Sequence, residues 1–214
     1  MFDLHTHTLF SDGELLPSEL VRRAEHIGLK AIAITDHLDI SNIDTVIPKV
    51  VEVSVELNKT KKIKTIPGAE ITHCPPGMIG GLVSRARVLG AQIVLVHGET
   101  IVEPVEKGTN RAAIEAGVDI LAHPGLISLK DAELAARKGI FLELSGRRGH
   151  CFANGHVLSM ARQCDAKVII NSDTHSPGDL MSSEMSKKIA LGAGLTAEEY
   201  RVGLKAVKSL INKY

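Results

Sequence analysis

Short apolar runs alternate along the chain with longer stretches of helical period. Ala31 to Ile34, Ile93 to Val96, Ile120 to Ala122, Ile140 to Leu144 and Val168 to Ile170 are the clearest runs, and they suit strands buried on both faces. Between the first strand and the second, Leu20, Val21, Ala24 and Ile27 fall on one stripe of a helix predicted from Pro17 to Ile27. Proline near its start and Gly28 just after its end punctuate that helix. Ser128-x-x-Asp131 and Thr196-x-x-Glu199 are N-terminal capping patterns, the second followed by Leu204, Val207 and Ile211 on one face. Strands are predicted near residues 2–6, 30–35, 64–70, 93–97, 119–123, 140–144 and 167–172, a β/α unit of about 31 residues repeated seven times. Such alternation predicts a single α/β domain over residues 1–214, a distorted seven-stranded parallel β/α (TIM-like) barrel, with an open doubly wound sheet as the alternative. Right-handed crossovers place every strand's C-terminal end on one side, so either architecture has one working face.

That face collects chemistry. Strand one ends in His5-Thr6-His7, strand two in Asp36-His37, strand three in Glu70, strand four in His97, strand five in His123 and strand seven in Asp173-Thr174-His175. Residues two apart on a strand share a face, so His5 and His7 converge, as do Asp173 and His175 if the strand reaches them. Asp12, in the loop after strand one, folds back over the same rim. Six imidazoles and three carboxylates at one mouth are costly without counter-charge, and divalent cations remove that cost. Nitrogen and oxygen donors without sulfur predict two or three ions of Zn²⁺, Mn²⁺ or Fe²⁺.

Composition narrows the partners. Lys plus Arg and Asp plus Glu both number 25 in 214 residues, so no net field draws nucleic acid or an anionic membrane, and aromatics, at 3%, leave few rings for stacking on bases. No apolar run approaches the roughly 18 residues of a membrane span. Three cysteines without a C-x-x-C pair, together with an N-terminus that opens Met1-Phe2-Asp3 and shows no export signal, predict reduced thiols in the cytoplasm. Lysines 59, 61, 62 and 64 read as a solvated helix end.

In order, His5-Thr6-His7-Thr8-Leu9-Phe10-Ser11-Asp12-Gly13, Ile34-Thr35-Asp36-His37, Gly68-Ala69-Glu70, Val96-His97-Gly98, Ala122-His123-Pro124 and Ser172-Asp173-Thr174-His175 resemble the signature motifs of the PHP (polymerase and histidinol phosphatase) superfamily, most closely its small stand-alone phosphoesterases of the histidinol phosphatase type. The resemblance implies a first metal on His5, His7, Glu70 and Asp173, a second on Glu70, His97 and His123, with Glu70 bridging, and a third on Asp12, His37 and His175. Asp12 stands where some relatives carry histidine. The implied activity is hydrolysis of phosphate monoesters of a small phosphorylated metabolite by a metal-activated water. The alternative is phosphodiester cleavage at single-stranded nucleic acid ends, which the neutral charge disfavours. A barrel that kept the fold and lost the chemistry should have lost ligands, and all nine are present.

Ser145-Gly146-Arg147-Arg148-Gly149-His150 follows strand six at the same rim, and a guanidinium matches phosphate geometry. Arg147 or Arg148 is therefore expected to clamp phosphate, and both count as catalytic beside Glu70 and Asp173. Glu143 and Asp36 are expected to orient metal-bound histidines from behind. His150 and Asn154 read first as structural, with contact to substrate or protonation of the leaving oxygen as the alternative, His26 and His156 as solvent-facing, and His73, just past Glu70, is open to either role.

Overall fold

A computed structural model describes residues 1–214. Its strands are β1 (Phe2–Asp3), β2 (Ala31–Ile34), β3 (His37–Leu38), β4 (Lys64–Ile71), β5 (Ile93–His97), β6 (Ile120–Ala122), β7 (Phe141–Ser145) and β8 (Val168–Asn171). They pair in parallel in the order β1-β2-β4-β5-β6-β7-β8. Since Ile34 pairs with Pro67 and His37 with Glu70, β3 continues β2 at one offset along β4, and the strands fall on seven lines. A bridge from Thr6 to Thr174 joins the two ends of the sheet, so the structure is the nearly closed seven-stranded barrel and not the open sheet.

Eight helices surround it: α1 (Pro17–His26), α2 (Ile43–Thr60), α3 (Pro76–Val88), α4 (Thr109–Ala116), α5 (Leu129–Lys138), α6 (Asn154–Cys164), α7 (Ser183–Ala193) and α8 (Ala197–Ile211). Both predicted capping patterns form: Ser128 accepts from the Asp131 N–H, and Thr196 and Glu199 cap each other reciprocally.

Alternation along the strands divides the core. Val94 and Val96 of β5 face the helices in an outer cluster, whereas Ile93 and Leu95 join Ile66, Ile120, Phe141 and Ile169 in an inner one. Val207, Leu210 and Ile211 of α8 belong to the inner cluster and plug the N-terminal end of the barrel. Burying each such side chain contributes about 1.5–3 kcal/mol. The same inward parity then carries Ile93-Leu95 on to His97 and Ile66 on to Glu70, so the barrel interior is apolar at its base and ligand-bearing at its mouth.

The first strand is shorter than its pattern. Leu4 packs in the inner cluster, yet His5 and His7 also face the interior, so the parity changes between Leu4 and His5 and regular pairing stops at Asp3. Side chains bridge the gap: Leu4 N–H donates to Asn171 Oδ1 at 2.9 Å and Ser172 N–H to Asp3 Oδ1 at 3.2 Å. Likewise β8 ends at Asn171, because Asp173 takes a left-handed backbone with φ 56°.

Candidate metal centre

Each donor is delivered by a strand end or the turn after it, and the turns are shaped to turn the side chain inward. A Cβ on Gly98 would lie 2.3 Å from the Ala122 carbonyl oxygen, so only glycine lets the chain leave β5 directly after His97. At Gly13 a Cβ would lie 2.5 Å from the His7 carbonyl oxygen; this close approach brings Asp12 back over His7. His123 and Asp173 hold positive φ, 25° and 56°, a strain that non-glycine residues sustain where the surrounding structure holds them in place.

All nine expected donors converge. Glu70, fully buried, lies among four imidazoles: His5 Nε2 at 3.2 Å, His37 Nδ1 at 2.7 Å, His7 Nε2 at 3.7 Å and His123 Nε2 at 3.7 Å. Asp173 Oδ1 lies 3.2 Å from His7 Nε2 and 3.6 Å from His5 Nε2. Asp12 Oδ2 meets His175 Nε2 at 3.2 Å, and its Oδ1 is 3.6 Å from His37 Nε2. The donor atoms form groups within 4.8 Å: His5, His7 and Glu70; His5, His123 and Asp173; and His7, Asp12, His37 and His175. His7 thus also borders the group that the motifs assign to the third ion.

Several of these atoms have no hydrogen-bond partner although they are buried: His5 Nε2, both ring nitrogens of His7, both Glu70 oxygens and Asp173 Oδ1. Orphaned buried polar groups cost free energy, and an ion satisfies them together. Zinc–nitrogen bonds of about 2.0–2.1 Å set tetrahedral donors about 3.3 Å apart, close to the separations around Glu70 and Asp173. The residues therefore fit divalent metals.

Electrostatics agrees with that fit at His7, His123, Glu70 and Asp173. Burial drives His7 down to about 3, against the pull of Asp173, and drives His123 well below its ordinary value with help from His97, so both rings present lone pairs at neutral pH. Burial opposes charge on Glu70 and Asp173, but the neighbouring imidazoles, His5 foremost, hold both carboxyls well below the ordinary range. For His5 burial favours the neutral ring, and the carboxylates of Glu143, Glu70 and Asp173 outweigh it and raise the ring well above its ordinary value.

Glu143 is where it was expected, behind the donors. Both its oxygens lie 3.0 Å from His5 Nδ1, and Oε2 accepts the His123 backbone N–H at 3.0 Å. One carboxylate thereby fixes the tautomer of His5 and the strained turn at His123. Glu143→Gln is expected to weaken metal binding or turnover by about 10–100-fold, read by metal titration of the folded variant. Asp36 serves differently from its expected role: it accepts from Thr8 N–H, Thr8 Oγ1 and Ser11 Oγ at 2.7–2.8 Å and so braces the loop that carries Asp12, touching no ligand ring.

Arg147 reaches the mouth, with Nη1 2.7 Å from His175 Nδ1 and 3.2 Å from the Asp173 carbonyl oxygen, whereas Arg148 is exposed and does not line the cavity. Asn154 is structural as expected, its amide bonded to both the N–H and the C=O of Ser145. His26 is exposed. His156 is not solvent-facing: the first turn of α6 packs on the loop after β6, and its Nε2 bonds the Ile127 carbonyl at 2.9 Å. His150 is buried and lines the cavity rather than serving only the scaffold, and His73 sits at the outer rim. Glu103, in the loop after β5, also lies here and was not anticipated; its one sequence signal is its position six residues after His97, in a segment without periodicity.

The chain is a β/α barrel with nitrogen and oxygen donors able to hold metal ions gathered at its C-terminal mouth. The PHP domain model matches residues 3–100. The chain belongs to the PHP domain family of metal-dependent phosphoesterases. It is 52% identical over 200 residues to an uncharacterised protein of Methanocaldococcus jannaschii, covering 92% of each chain. It is 27% identical over 214 residues to a Methanosarcina barkeri protein named ribonuclease P protein component 3, covering 92% of this chain and 82% of that one. Among solved structures, the histidinol phosphate phosphatase of Lactococcus lactis, complexed with zinc, L-histidinol and phosphate, superposes with a TM-score of 0.60 at 17% identity, covering 91% of this chain and 94% of that one. No helix is long and apolar enough to cross a membrane.

Proposed function

We propose that this protein hydrolyses phosphate monoesters of small metabolites. The observation that carries this reading is the cavity at the barrel mouth, about 270 Å³, lined by ten residues of which none is apolar, with Arg147 among the donors. A space of that size and polarity suits a phosphoryl group with a compact polar alcohol. Divalent ions held by the donors at the mouth would supply a water of lowered pKa and positive charge for the phosphoryl oxygens.

The chain's own residues do the rest. Glu70, His5, His7 and Asp173 hold the donor lone pairs in place, and Glu143 locks the His5 ring from behind. The Arg147 guanidinium stands beside Asp173 and His175, where two of its N–H groups can turn to the phosphoryl oxygens of a bound ester. Strand ends and tight turns fix these groups before substrate arrives, so little reorganisation accompanies the reaction.

The similarity to a protein named for ribonuclease P favours a second reading, cleavage of phosphodiesters in RNA. A screen of phosphorylated metabolites with Mn²⁺, Zn²⁺ or Fe²⁺ supplied separately, run beside single-stranded RNA, separates the two. Turnover of RNA with no monoester accepted would reverse the order of these readings. Arg147→Ala is expected to raise KM or lower kcat by tenfold or more on the best monoester, while Arg148→Ala changes neither by that much; steady-state kinetics checks both.

A further inference from the structure

Two side chains at the mouth belong to none of the motifs that define the centre. Glu103 comes from the loop between β5 and α4, and His150 from the turn that follows β7. Glu103 Oε2 lies 3.1 Å from His97 Nε2, and Glu103 Oε1 lies 3.3 Å from His150 Nε2. The donors of His97, His123 and His150 lie within 4.8 Å of one another, and the His123 and His150 rings stack at 4.1 Å and 16°.

The two Glu103 separations are those of donors sharing one ion, and His97 joins the Glu103 group to that of His123 and His150. Around a tetrahedral zinc, neighbouring donors stand about 3.3 Å apart. A simple ion pair would explain one His–Glu contact, but here one carboxylate meets three imidazoles, His97 and His73 through Oε2 and His150 through Oε1. His150 is itself set up as a ligand: it is only 5% exposed, and Thr100 Oγ1 engages Nδ1 at 2.7 Å, which leaves Nε2 as the free donor facing the cavity. Such a partner on the far nitrogen is the usual support of a metal-bound histidine. His73 Nε2, 3.2 Å from Glu103 Oε2, steadies the carboxylate from the solvent side.

We propose that His97, His123, His150 and Glu103 together hold one divalent ion, as a site of three imidazoles and one carboxylate. The motifs alone assign to that ion only His97, His123 and the bridging Glu70, so His150 and Glu103 are additional protein ligands. Four protein donors of this type favour zinc and match the number it takes in a closed site. This ion is therefore the most firmly retained of the centre. The group with Asp12, whose carboxylate is 55% exposed, is the most readily exchanged.

The test is zinc retention by the full chain, dialysed against increasing chelator and counted per chain, with circular dichroism to confirm the fold. Wild type is expected to keep one equivalent at chelator concentrations that remove the others. Glu103→Gln and His150→Ala are each expected to release that equivalent at tenfold lower chelator or less, whereas Asp12→Ala leaves its release unchanged. Cobalt-loaded wild type should show the intense visible bands of a tetrahedral ion, and His150→Ala should lose them. A shift smaller than tenfold in either folded variant overturns the assignment, and if His150→Ala does not fold, Glu103→Gln alone decides. No substrate enters these measurements, so their outcome is independent of the phosphatase reading.

Discussion

Glu70→Ala is expected to lower turnover by about a thousandfold and to release at least one equivalent of metal. Glu70 is fully buried and faces His5, His7, His37 and His123, so its removal strips the one carboxylate that these four imidazoles share. A thousandfold loss corresponds to about 4 kcal/mol of transition-state stabilisation, at 1.36 kcal/mol for each factor of ten. Glu70→Gln separates charge from volume: it fills the same space but offers a single neutral oxygen, and its loss should approach that of alanine. Steady-state kinetics and metal counting on both variants check this. Activity within tenfold of wild type at a full metal complement would show that Glu70 does not join the ions.

How far the centre could be read before the fold was known follows from where its residues lie. His97 and Glu70 continue the inward parity of their strands, so their convergence is a matter of period and handedness, whereas Ile120 and Ala122 face inward and His123 is brought to the mouth only by its positive-φ turn. The pattern at the N-terminus misleads by a few residues: His5 and His7 converge, but through a change of parity after Leu4 that no alternation encodes. Asp173 reaches the mouth from a left-handed turn rather than from a strand.

Glu103 was not legible at all, for a physical reason. Its loop is positioned by contacts far along the chain, such as Val102 against Gly149, where a Cβ would come within 3.4 Å, and not by any local period. His150 was visible but ambiguous, because burial against His123 and the bond to Thr100 decide its role, and both partners are distant in sequence. His156 fails in the opposite direction, its ring claimed by the carbonyl of Ile127. Strand periodicity thus locates donors on the barrel's inner wall, while donors hung over the mouth by loops emerge only once the loops are placed.

Stripping the ions should lower the thermal midpoint by about 8–16 °C. Without metal the centre keeps His5 Nε2, both His7 nitrogens, both Glu70 oxygens and Asp173 Oδ1 buried without a hydrogen bond, and holds His123 and Asp173 at positive φ. An ion that binds only the folded chain stabilises it by about 4 kcal/mol when present at a thousand times its dissociation constant. For a chain of this size each kcal/mol shifts the midpoint by about 2–4 °C, so a single firmly held ion accounts for the range. Melts followed by circular dichroism, before and after chelation and again after zinc or manganese is restored, measure it. Recovery on adding back metal is part of the expectation, since irreversible loss would report aggregation instead. A midpoint unchanged within 2 °C would mean that hydrogen bonds within the protein already satisfy the mouth, and the donors would then need no ion to stay together.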